Sequence, residues 1–194
     1  MTSYRPICDT WILTRCKYKN GTKRYGGYLG GFVERARALL GCKFNEPILH
    51  VCGGMAKEYP YKRGFGPNDK TLDLDPDVKP DYLQDARDRF PWCSFINNHS
   101  NGTTTGGGTY WSGILIDPPY SEHEARHYTP GSDMYPPPNL LIKNSFDVLD
   151  VGSRVGIIHY IVPKPPKNSI FIACVGVICG FNNRVRIYTV FEKT

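Results

Sequence analysis

A short apolar run that stops on two consecutive prolines constrains this chain more than any other stretch. Gly113-Ile114-Leu115-Ile116 is compact, apolar and rich in β-branched residues, the pattern of a strand covered on both faces. It runs into Asp117-Pro118-Pro119-Tyr120. Neither proline can donate to a ladder, and each forces the residue before it into an extended conformation. An acid and an aromatic ring are thereby held on stiff backbone where a buried strand ends. In open α/β sheets that edge is where ligands bind.

Other segments place this strand in an alternating order. Gly26 to Gly31 forms a glycine turn ahead of Phe32–Leu40, which has apolar residues at 32, 33, 36, 39 and 40. That spacing predicts a helix, with Gly41 as its stop. Pro47–Cys52 reads as a second buried strand and runs into Gly53-Gly54; Thr71–Asp75 reads as a third, tipped with acids. A carboxylate about 20 residues after a glycine turn is the spacing of a ribose-binding acid in Rossmann-like sheets. Asp85 follows a short apolar stretch in the same way.

Further along, Leu140–Val151 has helical periodicity, and Gly152-Ser153-Arg154 reads as a turn into a strand over Val155–Val162. Two extended runs, Ile170–Cys179 and Arg184–Glu192, flank Gly180-Phe181-Asn182-Asn183 and predict a C-terminal hairpin. Mostly alternating elements with a reversed end indicate an α/β sheet with one antiparallel edge. At 194 residues, with no repeat and no dividing linker, the chain reads as a single domain.

Two stretches read as mobile loops. Residues 97–109 hold four glycines and no apolar side chain; residues 121–139 hold Glu122, His123, Glu124, Arg126, His127 and a triple proline. Loops of that length in a compact domain are commonly functional, and the second reads as a lid over a substrate. His123 and His127 share a helical spacing with Glu124 between them, but the order of ligands required for a zinc-binding helix is not met, so no metal is expected.

Seven scattered cysteines without a C-x-x-C pair argue against a disulfide scaffold or metal knuckles. With no apolar leader at Met1–Pro6 and no long apolar run, they fit a cytoplasmic protein with no membrane partner. The net charge of +6 favours an anionic partner. Residues 1–45 read as an N-terminal arm followed by the first helix. In the arm, Arg15, Lys17, Lys19, Lys23 and Arg24 alternate with aromatic residues. Cations for phosphates and rings for bases suit a nucleic-acid surface; a solvated, tyrosine-rich arm is the alternative.

This order resembles the class I S-adenosylmethionine-dependent methyltransferases, whose mostly parallel, seven-stranded, Rossmann-like sheet carries helices on both faces and ends in an antiparallel strand. Asp117-Pro118-Pro119-Tyr120 resembles the catalytic signature of the branch that methylates the exocyclic amine of adenine or cytosine in DNA. The resemblance implies S-adenosyl-L-methionine as cofactor. Phe32 would then sit on the methionine side, His50, Cys52, Gly53 and Gly54 in the glycine-rich first motif, Asp73 on the ribose, and Asp85 beside the cofactor's adenine. Asp117 and the Pro118 carbonyl would accept the target amine, Pro119 would add rigidity, and Tyr120 would stack on the base.

The first motif departs from the family pattern. Where an acid and three alternating glycines are usual, this chain has His50-x-Cys52-x-Gly54-x-Ala56, and none of its stretches reads as a separate target-recognition domain. DNA adenine N6 is the substrate the motif order favours, with sequence readout expected from the loops 97–109 and 121–139, the basic N-terminus, or a partner such as a second copy or a recognition subunit. RNA adenine, a protein glutamine side chain, and a silent binding module are the other readings. The glutamine enzymes carry asparagine in place of Asp117.

Overall fold

The computed structural model describes residues 5–17, 27–93, 110–128, 135–180 and 184–194. Its centre is a sheet of eight strands: β1 (Ile7–Leu13), β2 (Ile48–Val51), β3 (Lys70–Asp73), β4 (Tyr82–Leu83), β5 (Trp111–Ile116), β6 (Leu149–His159), β7 (Ser169–Cys179) and β8 (Val185–Lys193). The spatial order is β1-β7-β8-β6-β5-β2-β3-β4. All neighbours are parallel except β8, which runs against both β6 and β7. The expected mostly parallel sheet with a reversed C-terminal hairpin is present, and β1 adds an eighth strand.

The two central strands show why the sheet forms where the sequence places it. Ile114, Leu115 and Ile116 are wholly buried, as are Ile48, Leu49 and Val51. Fully burying each such side chain contributes about 1.5–3 kcal/mol. Alternate residues serve opposite faces. Ile48 and Leu115 join Phe32, Val33, Ala36 and Leu40 of α1 (Phe32–Leu40) in one core. Leu49, Val51, Ile114 and Ile116 join Leu141 and Ile142 of α3 (Pro138–Asp147) in the other. Helices therefore cover both faces.

Helix α1 ends as the sequence predicts. Gly41 has φ of 74°, and the amides of Gly41 and Cys42 donate to the carbonyls of Ala38 and Arg37. That pair of bonds is a Schellman stop, which needs a left-handed residue.

Three segments differ from expectation. Ile7–Leu13 belongs to the arm by composition, yet it pairs in parallel with β7 from Ile7↔Ala173 to Leu13↔Cys179. Only Trp11 and Leu13 are buried on it, so it carries little of the hydrophobic alternation that marks a strand. Within 121–139, expected to be loop, Glu122–Tyr128 forms helix α2. Ser121 caps it, its Oγ accepting the Glu124 amide at 3.2 Å while Glu124 Oε2 accepts the Tyr120 amide at 3.1 Å. This is close to a capping box. Finally, α3 stops at Asp147 and β6 begins at Leu149, so Gly152 lies inside a strand, with φ of 83°, where a turn was expected.

A candidate active site at the switch point of the sheet

Strand order reverses between β2 and β5: β3 and β4 lie on one side, β6 on the other. Loops leaving two such strands diverge and leave a crevice at their carboxyl ends. A cleft of about 740 Å³ opens there, lined by Cys52, Gly54, Asp73, Asp75, Asp85, Asp117, Pro118, Pro119, Tyr120, Tyr160, Arg184 and Arg186, among others. Every strand end from β4 to β6 contributes, together with the start of the reversed strand β8.

One end of the cleft is acidic and glycine-lined. Gly54 has φ of 49°, and a Cβ at this position would meet no other atom within 4 Å. It leaves open space beside the Asp73 carboxylate, which accepts the Gly54 amide at 2.8 Å and the Asp75 amide at 3.0 Å. Burial pushes the Asp73 carboxyl above its usual range, against those backbone bonds. A desolvated carboxylate with lone pairs left over is suited to hydroxyl donors. These residues fit the ribose of an adenosyl group, and the space beside Gly54 fits close approach to backbone. Asp85 also lines the cleft, but Arg87 forks onto both its oxygens, with Nη2 to Oδ2 at 2.6 Å and Nε to Oδ1 at 3.1 Å. Burial would raise the Asp85 carboxyl; the Arg87 contacts outweigh it and hold the group below the ordinary carboxylate value.

The opposite end is built on the proline signature. The Asp117 amide donates to the Val51 carbonyl at 3.2 Å, which fastens the end of β5 to that of β2. Tyr120 Oη donates to Asp117 Oδ1 at 2.7 Å. Burial raises the Asp117 carboxyl above the usual range and Glu124 adds to this, while Arg186 and the Tyr120 hydroxyl oppose it. Around the Tyr120 ring stand Tyr160 (centroids 4.6 Å apart), His159 (5.4 Å, edge-on) and the Arg186 guanidinium (5.4 Å from the centroid). His159 Nδ1 accepts the Ile161 amide at 3.3 Å, which leaves its proton on Nε2, facing Tyr135 Oη at 3.3 Å. Burial lowers the His159 pKa, against the nearby Glu124.

Of the residues singled out in sequence, Cys52, Gly54, Asp73, Asp85 and Asp117 to Tyr120 come together in this cleft. Phe32, His50 and Gly53 are not on its wall. Phe32 is 1% exposed and packs between Tyr28, Trp11 and Tyr188. His50 shares the α1-facing side of β2 with Ile48, and is fully buried with Nε2 3.0 Å from Asp69 Oδ2 and Nδ1 3.2 Å from Tyr28 Oη. Period-two alternation aims its ring away from the crevice. At Gly53, an added Cβ would run into the His50 carbonyl at 3.0 Å, so this glycine serves the turn. Arg15 and Lys17 are exposed beyond β1 and are not part of the cleft wall. Lys19, Lys23, Arg24 and the whole of loop 97–109 lie outside the described residues.

Tyr160, Arg186 and Arg184 were not foreseen. Tyr160 follows directly on β6. Arg186 pairs near the end of β6 because β8 runs antiparallel, with His159 opposite Ile187. A basic residue at the start of a reversed strand was the available signal. For α2, the signal was Ser121-x-x-Glu124.

No protein-family profile matches the chain, and no curated protein matches it. Among solved structures it is similar to TrmN from Thermus thermophilus, with a TM-score of 0.57 and 18% identity over 87% of this chain and 50% of that one. The chain thus spans half the length of the Thermus protein. A Haemophilus influenzae protein assigned by inference as a methylase gives a TM-score of 0.49 at 12% identity, covering 93% and 98% of the two chains. The N-methyltransferase NodS from Bradyrhizobium japonicum gives 0.42 at 10%, covering 84% and 97%. The last two scores are too low to add to the argument. The first, with the strand order above, shows that the chain carries the Rossmann-like fold of the class I methyltransferases.

Proposed function

We propose that this chain transfers the methyl group of S-adenosyl-L-methionine to the exocyclic amine of a nucleic-acid base, with adenine N6 of DNA as the favoured target. The observation that carries this reading is the pairing, in one cleft, of an adenosyl-fitting end at Gly54 and Asp73 with the Asp117-Pro118 acceptor pair. When bound, the cofactor supplies a methyl already activated on a sulfonium, so no covalent nucleophile is required of the protein.

An aromatic amine is a poor nucleophile because its lone pair is delocalised into the ring. The Asp117 carboxylate and the Pro118 carbonyl would each accept one N–H of that amine. Two acceptors fixed on proline-stiffened backbone favour the pyramidal nitrogen that develops during attack, a preorganised electrostatic effect. Burial of Asp117 strengthens it by excluding water. Tyr120 would flank the base, which must be flipped from a duplex or single-stranded already. Its hydroxyl orients the acid. Asp117 in place of asparagine favours a base over a glutamine side chain, and the net charge of +6 favours a polyanion.

The test is incubation with labelled S-adenosylmethionine and, separately, unmethylated DNA, unmethylated RNA and a glutamine-containing peptide, followed by nucleoside and amino-acid analysis. N6-methyladenine from DNA is expected. Label in RNA alone would move the target to RNA adenine, and label only on glutamine, or nowhere, would overturn the reading.

A further inference from the structure

Both arginines of the cleft wall, Arg184 and Arg186, stand at the end around Tyr120, beside Asp117 and Glu124, while the cofactor-fitting end is walled by Asp73, Asp75 and Asp85. These two arginines are two residues apart on an extended segment, which puts both on one side of it. Arg184 reaches toward Glu124, with Nη1 3.9 Å from Oε1. Arg186 is different. It is partly buried against the Tyr120 ring and donates no hydrogen bond to any described residue. A guanidinium has five N–H donors in a fixed fork, and Arg186 lines the cleft, where an incoming group can meet them. The fork is complementary to a phosphate or carboxylate.

We propose that Arg186 holds the phosphate adjoining the target base, so that the enzyme acts on nucleotides within a strand and discriminates against uncharged acceptors. This rests on the reading that a nucleic-acid base is methylated. Position decides between the two anions the cleft could receive. Arg186 lies over Tyr120 and acts electrostatically on Asp117 and Tyr120. Among the described lining residues, the other end carries Asp73, Asp75 and Asp85 and no arginine or lysine. A base held at Asp117 would bring its own sugar-phosphate along the wall that Arg186 also lines. Arg184 adds positive potential at the same rim.

The experiment uses two single-stranded oligonucleotides with one adenine each, one all-phosphodiester and one with neutral methylphosphonates flanking that adenine. Binding is read by fluorescence anisotropy in the presence of S-adenosylhomocysteine, for the wild type, Arg186→Ala and Arg186→Lys. The wild type is expected to prefer the charged strand by about 10- to 100-fold, the range of a charge-assisted hydrogen-bonded pair. Arg186→Ala should erase the preference and Arg186→Lys keep part of it, with S-adenosylhomocysteine affinity unchanged in both. Equal wild-type binding of the two strands, binding of neither, or a preference retained in Arg186→Ala would overturn the proposal. So would loss of S-adenosylhomocysteine binding in a folded Arg186→Ala, which would assign the arginine to the cofactor carboxylate. Methyl transfer to the same strands separates this proposal from the reading beneath it. Phosphate-dependent binding without transfer defeats the methylation reading alone, whereas transfer indifferent to the neutral linkages defeats the phosphate site alone.

Discussion

The Tyr120 hydroxyl donates a 2.7 Å hydrogen bond to Oδ1 of Asp117, three residues before it in the chain. The aromatic residue of the signature therefore fixes the orientation of the acid as well as walling the cleft. In the proposed reaction the second Asp117 oxygen would accept the substrate amine, and the prolines between the two residues hold the geometry.

Removing that hydroxyl should separate orientation from stacking. Tyr120→Phe retains the ring, and kcat should fall about tenfold, as expected for loss of a hydrogen bond to a charged group, with KM nearly unchanged. The pH profile gives a sharper readout. Burial holds Asp117 above the usual carboxylate range, and the Tyr120 bond is one of the contacts opposing that rise. Activity needs the ionised acid, so it should fall as pH drops through this raised value. In Tyr120→Phe the acid limb should move to still higher pH. An unmoved limb would show that the bond does not act on Asp117.

Asp73 should govern cofactor affinity. Asp73→Ala removes the acceptor for ribose hydroxyls and frees the Gly54 amide. Calorimetry with S-adenosylhomocysteine should show affinity reduced about 10- to 100-fold, the range for hydrogen bonds to a charged acceptor. Asp85→Ala should weaken binding by less, because Arg87 already engages both Asp85 oxygens. Unchanged affinity in Asp73→Ala would remove the ribose assignment.

Cys52 stands where the family pattern has a glycine, and its φ is 52°. The left-handed region costs a non-glycine residue about 1–2 kcal/mol. Cys52→Gly should therefore raise stability by about 1 kcal/mol in urea unfolding, less what its packing contributes, with cofactor affinity intact. Burial, reinforced by Asp73, Asp117 and Asp85, also pushes the thiol well above its ordinary pKa. Iodoacetamide at neutral pH should leave Cys52 unmodified while it alkylates the exposed Cys8.

His50, off the cleft wall, belongs to a buried network. Asp69 accepts from Arg37, from His50, and from the amides of Ile48 at 3.0 Å and Gly66 at 2.7 Å. Asp69→Ala leaves Arg37 buried without its charge partner, a change that costs about 3–5 kcal/mol and should show in the urea midpoint. Burial would raise Asp69, but His50 and Arg37 outweigh it and hold the carboxyl below its ordinary value of 3.8. The stabilisation this supplies is complete above that ordinary value and is lost as pH falls through the lower folded one. Asp69→Ala should flatten that part of the acid-unfolding curve.

How much of this was legible in sequence follows from where each signal is stored. Strands β2 and β5 could be read because burial on both faces requires continuous apolar runs, and Asp117-Pro118-Pro119-Tyr120 because prolines act locally. Asp73 was legible through spacing from a glycine turn. Phe32 and His50 were misassigned because alignment to a motif fixes chain position, whereas side-chain direction follows from strand alternation and helix packing. Arg186 and Tyr160 were missed because an antiparallel pairing of β8 with β6, set by the whole sheet, brings them to Tyr120. Strand β1 was missed for a related reason: its partner β7 is distant in sequence and its own residues are mostly exposed.

The most direct test of the account compares wild type with Asp117→Ala in tritium transfer from S-adenosylmethionine to unmethylated nucleic acid, with cofactor affinity measured on the same preparations. The account predicts labelled N6-methyladenine from the wild type, none from Asp117→Ala, and similar cofactor affinity in both. Transfer by Asp117→Ala at the wild-type rate would contradict it.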